Sequence, residues 1–287
     1  MAVIEPQSAG DYDDRTTAAV ESVLIEIGQI LGSFKGKFAV IGGAGPWLLL
    51  READMPHSGT LDVDLGLDPS ALGDGEYVRL VEALQTHGYH QRDHLKRFQL
   101  VRIVPARDGG SDIEIVVDFL MPRDAEIARN KPPLLSEFAV QRADGAEVAL
   151  ISNQMVAIDG HMPGGGRNRA HIAVASIPAL LAMKGYAIDN RLKRKDAYDI
   201  YYSVRNFPGG IDRLVEATRL VLDVESAQKG YRLIAGKFRS VEDFGPRSVK
   251  EFVEGTHLLG DRTLDQWQQD AFGQVDAWLS RLGLRQT

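Results

Sequence analysis

The stretch FAVIGGAGPWLLLREADMPHSGTLDVDLGLD, Phe38 to Asp68, decides the fold. It reads as an apolar run, a glycine pair, a helix-compatible segment and a strand that carries two carboxylates. Hydrophobicity alternates with period two from Thr60 to Leu67, so the polar side chains Thr60, Asp62 and Asp64 share one face. Each strand residue advances roughly 3.3 Å, which places the two aspartates about 7 Å apart and pointing the same way.

This aspartate pair is suited to hard cations. Two carboxylates on one face can share one or two divalent ions, and Mg²⁺ typically completes its shell with waters and phosphate oxygens. Gly42 and Gly43 end a strand predicted over Lys37 to Ile41 and precede a helix predicted over Pro46 to Arg51. Free backbone N–H groups at such a point can hold a phosphate. The alternative is a surface strand with a polar outward face.

A further acid lies on a second alternating segment, Asp112 to Leu120. Its apolar face is expected to bury, while Asp118 falls within the otherwise apolar string V-V-D-F-L. Glu114 lies on the same face and competes with Asp118 as the third carboxylate. The alternative is an ordinary acid on an edge strand.

The second informative stretch is MKGYAIDNRLKRKDAYDIYYSVR, Met183 to Arg205. If one helix continues into the next, Lys184, Arg191, Lys195 and Asp199 fall on one stripe. A salt-bridged helix surface explains Lys195 with Asp199 well. It explains Lys184 poorly, because the flanking residues are apolar and predict a buried segment.

These two stretches, in this order, resemble a known superfamily. Gly-Gly, a short helix and h-D-h-D-h are similar to the nucleotidyltransferase signature of DNA polymerase beta-like enzymes. The string S-G-T-L-D-V-D-L and the lysine block resemble the AbiEii/AbiGii-type toxin nucleotidyltransferases, and the resemblance covers roughly residues 36 to 206. It implies an α/β fold with a mixed sheet flanked by helices, followed by a helical C-terminal domain.

The resemblance also implies roles for individual residues. Asp62, Asp64 and Asp118 would be the metal ligands and catalytic carboxylates, with Asp118 steering the proton of the incoming hydroxyl. The nucleotide would be bound by Gly42, Gly43, Thr60, Lys184, Lys195, Asp196 and Asp199. Arg191 and Arg194 would touch the acceptor. Ala44 departs from the family, which often has a small hydroxyl residue there, so the grip on the triphosphate rests on backbone donors.

Cofactors and partners follow from the same resemblance. We expect Mg²⁺ or Mn²⁺, a nucleoside triphosphate as substrate, an RNA acceptor such as a tRNA end, and an antitoxin partner. Two alternatives stay open: a nucleotidyltransferase acting on an aminoglycoside, and a non-catalytic binding module that keeps the fold. Calorimetry with Mg²⁺-nucleotides would separate the module from the enzymes.

Composition sets the remaining bounds. The 287 residues suffice for one large or two modest domains, predicted as a nucleotidyltransferase core at 1–170 and a helical domain at 171–287. The chain contains no cysteine, which excludes disulfides and thiolate chemistry. No apolar run approaches the length of a membrane span, so we expect a cytoplasmic protein without a membrane partner. The net charge of −7 argues against indiscriminate binding of nucleic acid.

Overall fold

The computed structural model describes residues 6–34, 36–69, 76–93, 95–125 and 140–285. Two compact units are present. The sheet unit consists of Asp14–Gly45 and Thr60–Ser176, and the helical unit of Met1–Asp13, Pro46–Gly59 and Ile177–Thr287. The last segment of the helical unit thus begins at Ile177, and two earlier segments belong with it.

The eight strands found in the described residues belong to one mixed sheet in the sheet unit. They are β1 (Phe38–Ile41), β2 (Asp62–Leu67), β3 (Tyr89–His90), β4 (Gln99–Val104), β5 (Ile113–Pro122), β6 (Gln141–Ala143), β7 (Asn153–His161) and β8 (Arg167–Ala175). The order is β3-β4-β5-β2-β1-β8-β7, and β6 pairs with β5. The β2–β5, β1–β8 and β5–β6 pairs are parallel, whereas the other pairs are antiparallel.

Ten helices lie in the described ranges. They are α1 (Asp14–Ile30), α2 (Ala44–Leu49), α3 (Glu76–Thr86), α4 (Ala146–Ile151), α5 (Ile177–Arg191), α6 (Arg194–Arg205), α7 (Gly210–Arg219), α8 (Glu225–Lys237), α9 (Phe244–Val253) and α10 (Leu264–Arg281). The predicted fold class, a mixed sheet with flanking helices and a helical C-terminal region, is confirmed. Strands β6 and β7 and helix α4 were not predicted.

The core of the sheet unit follows from the two hydrophobic periods. On α1, the residues at helical spacing Val20, Val23, Leu24 and Ile27 are fully buried. On β2 and β5, the alternate residues are fully buried as the period-two pattern predicts; these are Val63, Leu65, Leu67, Ile115, Val117 and Phe119. The other face of each of these strands carries the acidic side chains.

The helical unit packs around large aromatic side chains. Trp267, Trp278 and Tyr231 are at most 1% exposed, and the rings of Tyr231 and Trp278 meet edge to face at 5.4 Å. Helices α5 and α8 approach most closely at two glycines: a Cβ on Gly185 would lie 2.9 Å from Gly230 Cα and closer still to the Gly230 carbonyl. Small residues therefore set the distance between these two helices.

Within the described residues, no helix is both long enough and apolar enough to cross a membrane.

Candidate functional site

A row of polar side chains crosses the centre of the sheet. In the strand register, Asp64 on β2 pairs with Asp118 on β5, and Asp118 pairs in turn with Gln99 on β4. Gln99 Nε2 donates a hydrogen bond of 2.8 Å to Asp118 Oδ1. We call Asp64, Asp118 and Gln99 the carboxylate row. It brings together two acids that lie 54 positions apart in the sequence and are both half-buried.

Register makes the two acids of the row close neighbours. Partners in adjacent strands lie about 4.8 Å apart and point to the same side of the sheet. Like charges directly opposite each other repel, and a cation bound between the two carboxylates would offset that repulsion. The chemistry that the two neighbouring carboxylates offer is therefore that of a cation ligand.

Asp62 extends this polar face by one pleat. It lies on β2 two residues before Asp64, is exposed, and has Thr60 Oγ1 at 3.3 Å from its Oδ1. Thr60 itself is 2% exposed and precedes the strand, which begins at Asp62. The predicted polar face thus contains both aspartates, whereas the Thr60 side chain is buried.

Gly42 lies directly against the row. Its φ of +68° is in the left-handed region, and a Cβ there would be 2.7 Å from Asp64 Cγ and nearer still to Asp64 Oδ2. Only glycine lets the backbone approach a side chain this closely. The carboxylate of Asp64 is therefore in contact with the turn that follows β1.

The glycine pair opens a tight turn into α2. Gly45 N donates to Gly42 O at 3.3 Å, and α2 begins at Ala44, which is 1% exposed. The side chain of Ala44 has no donor for a phosphate. Any phosphate contact from Gly42 to Ala44 would therefore have to come from backbone N–H groups.

Glu114, the competitor of Asp118, takes a different position. It is exposed, lies opposite Ile103 in the register, and forms an ion pair with Arg92. An exposed acid with its own cationic partner is a poor ligand for another cation. Asp118 is therefore the acid that the sheet places beside Asp64.

The carboxylates of Asp64 and Asp118 are oxygen donors of the kind that a hard divalent cation prefers. Mg²⁺ is usually bound by one or two carboxylates together with waters and phosphate oxygens. Asp64 and Asp118 can supply the two carboxylates. Among the described residues, no group of three or more His, Cys, Asp or Glu side chains is placed to hold a metal ion. The arrangement is a carboxylate pair with Asp62 nearby, not a preformed cage of three protein ligands.

The predicted lysine block forms a buried network in the helical unit. Lys184 Nζ lies 2.7 Å from Asp196 Oδ1 and 2.7 Å from Asp199 Oδ2, so that one ammonium bridges two carboxylates. Lys195 forms an ion pair with Asp199, and Arg191 contacts both oxygens of Asp196 at 2.7 and 2.9 Å. We call Lys184, Arg191, Lys195, Asp196 and Asp199 the ion cluster.

This cluster does not arise from one continuous helical stripe. Helix α5 ends at Arg191 and α6 begins at Arg194, with Leu192 between them at φ +47°. The left-handed residue breaks the helix, and the contacts from Lys184 are made across two helices. The i,i+4 pair of Lys195 and Asp199 within α6 is the part that sequence spacing predicts.

Charge in the ion cluster is not balanced. Three cationic side chains face two carboxylates, and all but Arg191 are less than a tenth exposed. Although burial alone would raise the pKa of Asp199, Lys184 and Lys195 hold it well below its usual range. Burial, together with neighbouring Lys184, lowers the pKa of Lys195 despite its pairing with Asp199. The four buried side chains therefore carry two charges of each sign, and the remaining positive charge belongs to the half-exposed Arg191.

His57 joins the cluster from outside the predicted block. Its Nε2 lies 3.0 Å from Asp199 Oδ1, and its side chain is 2% exposed. Burial, followed by the charge of Lys195, lowers the pKa of His57 to about 4. His57 is therefore neutral at physiological pH and adds no charge to the cluster.

The remaining predicted residues are placed as follows. Asp62, Asp64, Asp118, Gly42 and Thr60 all lie in the sheet unit, where Asp64 pairs with Asp118 and contacts Gly42. Lys184, Lys195, Asp196 and Asp199 meet in the helical unit. Arg194 forms an ion pair with Glu251 at 2.9 Å. Sequence reasoning missed Gln99 and His57, because strand register and the folding of the 46–59 segment have no short-range signal.

Comparisons with known proteins do not assign a function to this chain. No protein-family model matches this sequence, and no curated protein matches it. The chain is similar to the crystal structure of an antigenic nucleotidyltransferase-like protein from Paracoccidioides brasiliensis, with 17% sequence identity and a TM-score of 0.42. The similarity covers 81% of this chain and 91% of that chain. At this identity and TM-score, the function of the present chain has to be inferred from its own residues.

Proposed function

We propose that this protein is a metal-dependent nucleotidyltransferase, which moves a nucleotide from a nucleoside triphosphate to an acceptor hydroxyl. The observation that carries the proposal is the carboxylate row: Asp64 and Asp118 are direct neighbours in the sheet, and the glycine turn lies against Asp64. Nucleotidyl transfer needs carboxylates for metal, a backbone turn for phosphate, and little else from the protein.

Roles can be assigned to the residues of the row. Asp62 and Asp64 would hold Mg²⁺ or Mn²⁺, with Asp118 as a shared ligand, and the bound ion would activate the hydroxyl and offset charge on the triphosphate. Asp118 would accept the proton of the attacking hydroxyl, as a general base must. Gln99 donates to Asp118 Oδ1 and thereby helps to fix the orientation of that carboxylate.

The ion cluster supports an anionic substrate. The ammonium groups of Lys184 and Lys195 are buried beside two carboxylates, and such fixed positive groups can offset charge that develops on a triphosphate. In line with the family resemblance, we assign Lys184 and Lys195 to the triphosphate, with Asp196 and Asp199 holding the two ammonium groups. The backbone of Gly42 and Gly43 would contribute N–H donors.

The finer parts of the proposal rest on the resemblance alone. We propose that the acceptor is RNA, at a tRNA end, and that transfer inhibits growth unless a partner antitoxin restrains it. Neither an aminoglycoside acceptor nor a non-catalytic role is favoured by a specific contact in the described residues. Both remain outcomes of the experiment below.

The test is a transfer assay with the purified full-length chain. It would be incubated with Mg²⁺ or Mn²⁺, each of the four α-labelled nucleoside triphosphates and total tRNA, in parallel with Asp64→Ala. Label that reaches tRNA, or the protein itself, only with the unaltered chain would support the proposal and name the nucleotide. Transfer to an aminoglycoside instead would correct the acceptor. No transfer to any acceptor, together with no binding of Mg²⁺-nucleotide by calorimetry, would leave the non-catalytic module.

A further inference from the structure

We propose that His57 is a positioning residue, whose imidazole N–H holds Asp199 and through it keeps Lys195 in place for the phosphate-bearing substrate. The inference rests on the proposed function, since it assigns His57 a part in the same transfer. His57 directly precedes the string S-G-T-L-D-V-D-L, and the resemblance assigns no role to it.

Two contacts fix the tautomer of His57. Gly59 N donates to Nδ1 at 3.1 Å, so Nδ1 must be the unprotonated nitrogen of a neutral ring. The ring proton is then on Nε2, which lies 3.0 Å from Asp199 Oδ1. A backbone N–H two residues away therefore orients the imidazole as a donor to the carboxylate.

The 55–59 segment is anchored on α6 by more than the imidazole. Tyr202 donates from its hydroxyl to Met55 O at 3.0 Å, and Tyr198 donates to Pro56 O at 3.3 Å. The His57 ring packs edge to face on Tyr202, with centroids 4.7 Å apart, and lies 5.7 Å from Tyr198. Three side chains of α6, those of Tyr198, Asp199 and Tyr202, thus hold this segment.

A neutral donor suits this position. Asp199 receives Lys195 and His57 on Oδ1 and Lys184 on Oδ2. A charged donor at His57 would add an uncompensated positive charge to the buried side chains of the cluster, whereas a neutral imidazole adds a hydrogen bond only. Burial and the charge of Lys195 keep the ring neutral, since they lower its pKa to about 4.

Losing this donor should loosen Asp199 without changing any formal charge. The carboxylate would keep its two lysines but lose the hydrogen bond that fixes its rotation from the third side. Lys195 also faces the rings of Tyr12 and Tyr198, at 5.2 and 5.8 Å from the ring centroids, and these do not restrain Asp199. The expected defect is therefore in the geometry of the ammonium groups and not in their number.

The activity test compares three variants of the full chain in the transfer assay. His57→Gln retains a neutral N–H donor at the position of Nε2, His57→Phe retains the ring without the donor, and His171→Ala changes an exposed histidine of β8. We expect His57→Phe to lower kcat about tenfold or more, because a hydrogen bond to a charged group is lost. His57→Gln should recover most of that loss, and His171→Ala should match the unaltered chain.

A purely structural role would give a different pattern. In that case His57→Phe and His57→Gln would lower the melting temperature alike, while kcat measured well below that temperature stayed unchanged. Equal kcat in the Phe variant and the unaltered chain would overturn the proposal even if the chain is an active transferase.

A measurement without substrate separates this inference from the proposed function. Nitrogen-15 NMR of histidine-labelled protein should find His57 as the neutral tautomer with its proton on Nε2 from pH 5 to pH 8. A charged ring or a proton on Nδ1 in that range would refute the geometry. If the NMR agrees but the unaltered chain neither transfers nor binds any nucleotide, the proposed function and the role of His57 in it both fail, and only the contact to Asp199 stands.

Discussion

The carboxylate row and the ion cluster both bring charged side chains together, but the row gathers like charges and the cluster gathers opposite ones. The row places two half-buried acids side by side on neighbouring strands, with a glutamine as the neighbour on the third strand. The cluster buries two acids among three cations, so nearly every charged group has an opposite partner within 3 Å. The row brings two acids together, whereas the cluster pairs each of its acids with cations.

That difference teaches how each group should respond to change. A site that concentrates like charge depends on what binds to it, so substitution there should affect activity far more than stability. A buried network of paired ions depends on all of its members, so removing one should affect the folded state strongly. The predictions below test this contrast, and they run from the largest expected effect to the smallest.

Replacing each of the two acids of β5 by its amide tests the row most directly. Asp118→Asn should lower transfer about a thousandfold, because the neighbour of Asp64 can then neither bind a cation as an anion nor accept a proton. Glu114→Gln, on the same strand and face, should keep full activity. Steady-state transfer rates and melting temperatures of both variants would be measured. Equal losses in the two variants would remove the assignment of Asp118.

Removing the bridging lysine tests the cluster. Lys184→Met leaves Asp196 and Asp199 without their shared cation, and should lower the free energy of unfolding of the helical unit by about 3 to 5 kcal/mol. Urea denaturation followed by tryptophan fluorescence measures this loss, since Trp267 and Trp278 are buried in the same unit. The exposed pair of Arg213 and Glu216 serves as control, and Arg213→Ala should shift the denaturation midpoint too little to resolve. A small loss for Lys184→Met would contradict the contrast between the two regions.

Acid should weaken the cluster through His57. Because burial lowers its folded pKa to about 4, the unfolded chain binds a proton below pH 6.5 that the folded chain refuses. The contribution is fully present above pH 6.5 and is lost as the pH falls to 4, by about 3 kcal/mol in total. The groups facing the ring are Asp199, Lys195, Lys184, Tyr198 and Tyr202.

Subtraction isolates this histidine from the other groups that titrate in acid. The stability of the unaltered chain minus that of His57→Gln would be measured by urea denaturation from pH 7.5 to pH 4. The difference should fall steadily with pH below 6.5. A flat difference would mean that His57 is protonated in the folded protein as readily as in the unfolded chain.

Gly42→Ala tests the close approach beside the row. The substitution combines a left-handed φ with a clash against Asp64, so we expect a cost of about 1 to 3 kcal/mol and a displaced carboxylate with at least tenfold slower transfer. Gly109→Ala is the matched control, because Gly109 has a similar φ of +77° and no described atom within 4 Å of its added Cβ. Thermal denaturation and transfer rates of the two variants separate the backbone cost from the clash. Equal transfer rates would show that the position of Asp64 does not depend on Gly42.

The sequence predicts the elements well and their neighbours poorly. Alternation on β2 and β5 placed Asp62, Asp64 and Asp118 on polar faces, because the period of a strand is a local property. It could not place Gln99 beside Asp118, since register is decided by packing across the whole sheet. The contact of Lys184 with Asp196 depends on the break at Leu192, and no propensity predicts a leucine at positive φ. The contact of His57 with Asp199 could not be predicted either, because it depends on the path of a segment without regular secondary structure.

The glycine contact between α5 and α8 has a mechanical consequence for the lysine next to it. At Gly185 and Gly230 the two helices touch backbone to backbone, and such a contact has no rotamers through which to yield. Lys184 is the residue immediately before this clamp, so its flexible side chain starts from a fixed base. The long aliphatic part of a lysine side chain normally lets its ammonium group occupy many positions. Here the backbone from which that side chain starts is fixed, so fewer positions are open to the ammonium group. The accuracy with which this charge is delivered depends on two residues that carry no side chain at all.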